Sequence, residues 1–271
     1  MAAPAATSSY PIGEMLRAWR ARRSLSQLDL AYDAGISPRH LSFIETGKSR
    51  PSPQVIEALA ARLDVPLRDR NALLLAAGHA PRYTEEPLRT ETMARVRAAV
   101  QRVLAAHEPN AGVALDRTWN VVLANGTARL LFGLLPADLA AEPVNLFRAS
   151  LHPDGFAGLT RNFDVWGRYL LDLLRRLVRV TGDRRLAELE AEVSRYPTVV
   201  GLDRRTGPGT GPREPELLVP LELRLGDQEL SFFTTLTTFG SPRDITLDEM
   251  TIELFYPADA ATEAWVASMR S

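Results

Sequence analysis

The stretch Leu25–Pro53, LSQLDLAYDAGISPRHLSFIETGKSRPSP, constrains the fold more than any other part of this 271-residue chain. Ser26 precedes an apolar stripe of Leu30, Ala31 and Ala34, and its hydroxyl suits the free N–H groups of a first helical turn. Gly35 follows, where a helix end favours positive φ, and Ile36 is placed to plug the gap before the next helix. Ser37-Pro38 then supplies an N-cap and a proline in the first turn. Leu41 and Ile44 form the apolar pair of this third helix, and Gly47 stops it. A helix precedes the segment, with Leu16, Trp19 and Arg20 on one face; two more follow, from Pro53 through Leu63 and from Pro66 to Gly78. The pattern predicts a compact bundle of five helices with a sharp turn between the second and third.

The outer face of the third helix carries Arg39, His40, Ser42 and Phe43, donors mixed with an aromatic ring and with no reason for burial. Such a face suits insertion into a DNA major groove, where an arginine pairs with guanine edges and a ring touches a thymine methyl. Lys48, Ser49, Arg50 and Ser52 follow in a loop rich in phosphate-binding groups, and Gln27 opens the second helix, where phosphate contacts form. A coincidental helical hairpin within an ordinary bundle is the alternative. These motifs, SQ, LA, AGIS, IETG and RPSP in order, resemble the Xre/Cro family of helix-turn-helix domains over Ile12 to about Tyr83. The resemblance implies an ion pair between Arg20 and Glu45, and DNA contacts from Gln27, Ser37, Pro38, Arg39, His40, Ser42, Phe43, Lys48, Arg50 and Ser52. Pro38 stands where phage relatives often carry a base-reading side chain, which moves the expected readout to Arg39, His40 and Phe43.

Charge is uneven along the chain. Residues 1–82 hold 11 Arg or Lys and 7 Asp or Glu, a net +4, whereas the remainder is net -5. A basic head on an acidic body suits nucleic-acid binding by the head alone. Lys48 is the single lysine among 32 Lys and Arg, a bias of high-GC bacterial coding. Cysteine is absent, which excludes disulfides and thiolate metal sites. Long apolar runs and a cationic-apolar leader are also absent, so the expectation is a cytoplasmic protein with no membrane contact and with residues 1–9 as a disordered leader.

Two domains are expected, 10–82 and 88–267, joined by the polar connector from Ala80 to Pro87. In the second, a helix over about Glu91–Ala106 precedes a hairpin of Ala111–Leu115 and Trp119–Ala124. Helices follow at Asn125–Gly133, Val144–Leu151, Phe156 to about Val180 and Arg184–Tyr196. A flexible Gly/Pro-rich loop at Thr206–Pro215 precedes strands at Glu216–Leu225, Glu229–Phe239 and Ile252–Tyr256. This order predicts an α+β domain with helices over an antiparallel sheet, similar to PAS-like sensor domains. The phrases DRTWNVVLAN, NLFRASLHPDG, SFFTTLTTFGSPRDIT and ELFYPADAAT resemble the ligand-binding domain of MmyB-like, or MltR-like, transcription regulators over roughly residues 90–265. That resemblance implies a fatty acid or similar lipid-like ligand.

Candidate cavity residues are Trp119, Phe147, Phe156, Phe163, Trp166, Phe232, Thr234 and Phe239, with Arg148, Arg161 and Asn162 as polar anchors beside them. For any single ring, filling the core is the readier reading, and an arginine on a surface helix is ordinarily solvated. Of Thr234, Thr235, Thr237 and Thr238, alternation directs two inward. His152 and Asp154 fit a turn better than an acid–base pair, the histidines are scattered, and no metal-ligand spacing, phosphate loop or nucleophile elbow occurs. The reading is therefore a non-enzymatic, cofactor-free transcription regulator. It binds a double-stranded operator as a homodimer and responds to a small apolar ligand. The alternatives are an adaptor whose second domain binds protein or dimerises without a ligand, and, further off, an enzyme fused to the head.

Overall fold

The computed structural model describes residues 11–204 and 218–268. The expected leader, 1–9, and the Gly/Pro-rich loop, 206–215, lie outside the described residues. The chain divides into two units. The first runs to Pro87 and adds Gly240–Glu249; the second holds Leu88–Phe239 and resumes at Met250. A single cut in the connector therefore misses one feature: a segment late in the sequence packs with the head.

The head comprises α1 (Ile12–Arg22), α2 (Gln27–Asp33), α3 (Pro38–Glu45), α4 (Pro53–Arg62) and α5 (Leu67–Ala76). Ser26, Ser37 and Ser52 cap α2, α3 and α4, each accepting from a backbone N–H three residues on. At the other end of α2, Gly35 has φ +68°, its N–H donates to the Tyr32 carbonyl, and the Ile36 N–H donates to that of Ala31. This crossed pair closes the helix and turns the chain into α3. Ser24 and Asp64 do the same for α1 and α4 with φ of 54° and 46°, without the freedom of glycine. Ile12, Leu16, Leu30, Leu41, Ile44, Ile56, Leu59 and Leu73 are fully buried between the helices. Burial of each such side chain contributes roughly 1.5–3 kcal/mol. Gly13 is required by close approach, since a Cβ there would lie 2.6 Å from the Glu45 carbonyl oxygen.

Segment 240–249 completes this unit and contains the short helix α12 (Ile245–Asp248). Pro66 gives α5 no side-chain cap, and Asp248 Oδ2 accepts the Leu67 N–H at 2.8 Å instead. Arg68 donates to both Glu249 oxygens, at 2.7 and 3.0 Å, and also pairs with Glu85. Asp244 accepts from the Thr84 hydroxyl and the Glu86 N–H.

The second unit is built on a five-stranded antiparallel sheet in the order β2-β1-β5-β4-β3. Its strands are β1 (Gly112–Leu115), β2 (Val121–Ala124), β3 (Leu221–Leu225), β4 (Gln228–Thr238) and β5 (Thr251–Pro257). Alternation assigns the two faces. Ala114, Ile252 and Leu254 face α6 (Ala94–Ala106) with Val100 and Leu104, while Val113, Leu115, Leu223 and Phe232 belong to the larger core. That core also takes α7 (Gly126–Phe132), α8 (Leu146–Leu151), α9 (Phe163–Thr181), α10 (Arg184–Val193), α11 (Pro197–Arg204) and α13 (Ala260–Ser268).

Three elements depart from the expected ones. The hairpin's second strand starts at Val121 instead of Trp119, because the Asp116 carboxylate gathers the Thr118 and Asn120 N–H groups into a turn. The long helix expected from Phe156 is instead a 3-10 turn, Phe156–Leu159, followed by α9. Thr160 bridges Leu223 and the Arg161 N–H donates to Glu222, so this backbone pairs with β3 instead of continuing a helix. Finally, β3 begins at Leu221, and α11, α12 and α13 had no counterpart in the sequence reading.

Candidate functional site

Two features stand out, one in each unit. On the head, Leu41 and Ile44 are buried beneath α3, and Glu45 at its end is only 2% exposed. Arg20 donates to both Glu45 oxygens at 2.8 and 3.0 Å, Gln27 Nε2 donates to Oε2 at 2.7 Å, and Arg17 donates to the Glu45 carbonyl at 2.5 Å. These bonds pin α3 against α1 and α2 and raise the Arg20 pKa above its ordinary value. The Gln27 amide is thus committed to Glu45, and its oxygen and backbone remain for other contacts.

On the opposite face of α3, Pro38, Arg39 and Phe43 are exposed, and His40 and Ser42 half-buried. The Arg39 guanidinium lies 5.3 Å from the Phe43 ring centre and the Lys48 ammonium 5.9 Å from it, so two cations flank one exposed ring. Ser37 and Ser52 use their hydroxyls as helix caps. Arg50 turns away to donate to the Gly78 carbonyl at 2.6 Å.

The second unit encloses an apolar cavity of about 90 Å³ between the sheet and its helices. Trp119, Phe147, Phe156, Trp166 and Phe232 line it, with Leu131, Phe132, Leu170, the leucines of β3, Phe255, Trp265 and Glu253. Trp119 reaches it from φ +65°, an unusual conformation for a large side chain, and packs against Phe147 at 4.6 Å between ring centres, the rings tilted by 37°. The Asp116 turn and the bond from the Leu146 N–H to the Trp119 carbonyl hold that conformation.

The structure does not bring the remaining sequence candidates to the cavity wall. Arg148 makes two 2.7 Å bonds to Glu192, and Arg161 pairs with Glu229 at 2.5 Å. Asn162 donates to the Pro220 carbonyl and accepts from the Glu222 N–H, tying α9 to β3. Phe163 packs into the main core beside Gly167, and Phe239 lies across the sheet with Met250 and Ile252. Thr234 is half-buried on β4 and Thr235, Thr237 and Thr238 are exposed.

Sequence reasoning missed Glu253. It is 4% exposed, shares the cavity face of β5 with Phe255, and its Oε2 has no hydrogen-bond partner among the described residues. Burial pushes its pKa up to about 7, opposed by the Thr234 hydroxyl, which favours the charged form. The available signal was a lone carboxylate between two apolar neighbours in a strand whose faces are both covered.

Comparison with known proteins finds a match for each part of the chain. Residues 11–73 match a family described as helix-turn-helix domain, and residues 96–269 match the MmyB-like transcription regulator ligand binding domain. A curated relative, the uncharacterized HTH-type transcriptional regulator RghRB of Bacillus subtilis (strain 168), is 43% identical over 77 residues. Those residues are 28% of this chain and 53% of that protein, so the chain spans about half the relative's length. Among solved structures, the clp gene regulator ClgR from Corynebacterium glutamicum matches 37% of this chain and 94% of its own, at 23% identity and a TM-score of 0.23. No helix among the described residues is long and apolar enough to cross a membrane. With the ligand-binding-domain match spanning more than half of its length behind a helix-turn-helix head, the chain belongs to the MmyB-like transcription regulators.

Proposed function

We propose that this chain is a non-enzymatic cytoplasmic regulator that reads an operator with α3 and responds to a small apolar molecule held in its second unit. The observation that carries the reading is the two-sided construction of α3. Leu41, Ile44 and the Glu45 network fix its inner face, while Arg39, Phe43 and Lys48 stand exposed on the other. Arg39 and Phe43 read base edges, His40 and Ser42 assist, and Gln27, Ser37, Pro38, Lys48 and Ser52 meet the phosphate backbone, while Arg50, engaged at the Gly78 carbonyl, braces the loop that carries Lys48 and Ser52. Because one such head contacts few bases, the protein acts as a homodimer on paired half-sites.

The PAS-like second unit receives the ligand at its cavity, with a hydrocarbon chain like that of a fatty acid as the apolar part of the occupant. At about 90 Å³ the space is below the roughly 300–1,000 Å³ usual for ligand pockets, so a long chain requires side chains of the wall, such as the β3 leucines, to move. Strands β4 and β5, which carry Phe232, Glu253 and Phe255, are the two ends of segment 240–249. Ligand-dependent adjustment of those strands therefore enters the head through covalent continuity, and differential affinity for two states gives the switch.

Gel shifts on DNA upstream of the protein's own coding sequence, with and without a fatty-acid titration, test both halves. Unchanged affinity at saturating ligand removes the switching claim. Arg39→Ala is expected to cost about 1–3 kcal/mol of discrimination at one base position. Equal losses on specific and random DNA make Arg39 a phosphate contact instead.

A further inference from the structure

We propose that the Glu253 carboxyl anchors the polar end of the cavity's occupant, and that this occupant ends in a hydroxyl in preference to a carboxylate. The inference rests on the cavity being the ligand site, as argued above, and concerns what the site selects.

Glu253 sits in the middle of β5, in register with Val113 of β1 and Leu236 of β4. Apart from the Thr234 hydroxyl, the surroundings on its face of the sheet are apolar, and it is the only ionisable side chain among the described lining residues. Tyr169, on α9 beside Trp166, has its pKa raised by burial first and then by the nearby Glu253 charge. Two hydroxyls of the wall are committed elsewhere: that of Thr127 donates to Glu108 and that of Thr160 to the Phe156 carbonyl. Among the described residues Glu253 Oε2 is left as a buried acceptor without a donor, a condition that folded proteins avoid unless another molecule supplies one.

The chemistry of the occupant follows from what surrounds that oxygen. A fatty-acid carboxylate needs a cation or a set of donors, and the described wall has no arginine, lysine or histidine. Beside Glu253 it would place two carboxylates in one apolar enclosure, which is tolerated only if one takes up a proton. A hydroxyl meets neither obstacle. It donates to the ionised carboxylate and accepts from the protonated one, so it satisfies Glu253 on both sides of neutral pH. The rest of the molecule is a compact hydrocarbon that packs against Trp119, Phe147 and Trp166.

Three tryptophans in the wall, Trp119, Trp166 and Trp265, make intrinsic fluorescence a direct readout on the full-length protein. The probes are hexan-1-ol and hexanoate at pH 8, titrated into the wild type and Glu253→Gln. The alcohol is expected to bind more tightly to the wild type. That preference is expected to fall roughly tenfold in Glu253→Gln, whose amide can donate to hexanoate. A preference unchanged by the substitution overturns the proposal, since the apolar wall alone then discriminates.

A second measurement needs no variant. Calorimetry of the wild type in two buffers of different ionisation enthalpy is expected to show uptake of roughly one proton with hexanoate and none with hexan-1-ol. Equal uptake for the two probes overturns the anchor while leaving the cavity reading intact. If neither probe changes the fluorescence at any concentration, the cavity reading itself fails, and the anchor with it.

Discussion

Glu45 and Glu253 are both buried, one in each unit, and their surroundings differ in kind. Glu45 receives three side-chain hydrogen bonds on its carboxylate, from Arg20 and Gln27, and a fourth on its carbonyl from Arg17. Glu253 has the Thr234 hydroxyl and otherwise hydrocarbon about it, with one oxygen unpartnered among the described residues. A buried carboxylate whose acceptor sites are filled by the protein ties helices together and has little left for a ligand. One whose site is open weakens the fold that carries it and has a reason to bind something. The head is thus a finished object whose work is done on its outer face, whereas the second unit keeps its unmet chemistry inside.

The largest expected effect comes from the open site. Its folded-state pKa is about 7, above an ordinary value of 4.5, so its contribution to stability is fully present below pH about 4.5 and is lost by the time the pH has risen through about 7. Wild-type stability is therefore expected to fall across that window. Glu253→Gln should remove the fall and leave the variant more stable than wild type at pH 8, by on the order of 3 kcal/mol. Tyr169 and Thr234, which face Glu253, stay neutral in that range, so the slope belongs to one group. Urea denaturation at pH 5 and pH 8 measures it; parallel curves for the two proteins would contradict a neutral, buried Glu253.

The same substitution logic has the opposite sign in the head. Arg20→Ala leaves Glu45 buried with its strongest partner gone, and should destabilise the head by about 2–3 kcal/mol. Hydrogen exchange in α1 to α3 should rise accordingly. If stability is unaffected, Gln27 and Arg17 satisfy Glu45 by themselves, and the contrast between the two glutamates becomes one of charge alone.

A smaller effect probes the one place where the head depends on distant sequence. Asp248→Ala removes the acceptor for the Leu67 N–H at the start of α5, and should cost about 1 kcal/mol. Faster exchange confined to the first turn of α5 is the expected signature. Faster exchange along β4 and β5 instead would locate the role of Asp248 in the sheet.

What the sequence made legible follows from the range of the interactions involved. The turn between α2 and α3 depends on Ser26, Gly35 and Ser37-Pro38, all acting within a few residues, and could be placed from their spacing. The partnership of Arg20 with Glu45 spans 25 positions and came through family resemblance, not through any local pattern. Arg148 and Arg161 were candidate anchors because they adjoin aromatic residues, yet Glu192 and Glu229, 44 and 68 positions away, hold them. Nothing along the chain announces such pairs. The cavity wall was legible where a large ring marks it, as at Trp119 and Phe147, and not where small leucines from β3 close it. Glu253 was hidden because an acidic residue in a strand ordinarily faces water, and only the packing on the two faces of the sheet shows that β5 is covered on both.

The helix ends of the head offer the smallest and most specific test of that account. Gly35, Gly47 and Gly78 were readable as stops, and all three have positive φ. Ser24 closes α1 with the same crossed bonds, its N–H to Ala21 and that of Leu25 to Arg20, and carries the left-handed conformation with a Cβ. Ser24 is exposed, and no side-chain hydrogen bond of its hydroxyl is among those described. Ser24→Gly therefore relieves the left-handed penalty of roughly 1 kcal/mol, offset in part by the greater freedom of glycine in the unfolded chain. A net gain of about 0.5 kcal/mol is expected in denaturant midpoint at unchanged m-value. A loss would mean that the Ser24 hydroxyl holds α1 in place, and that this helix end is built differently from the one at Gly35.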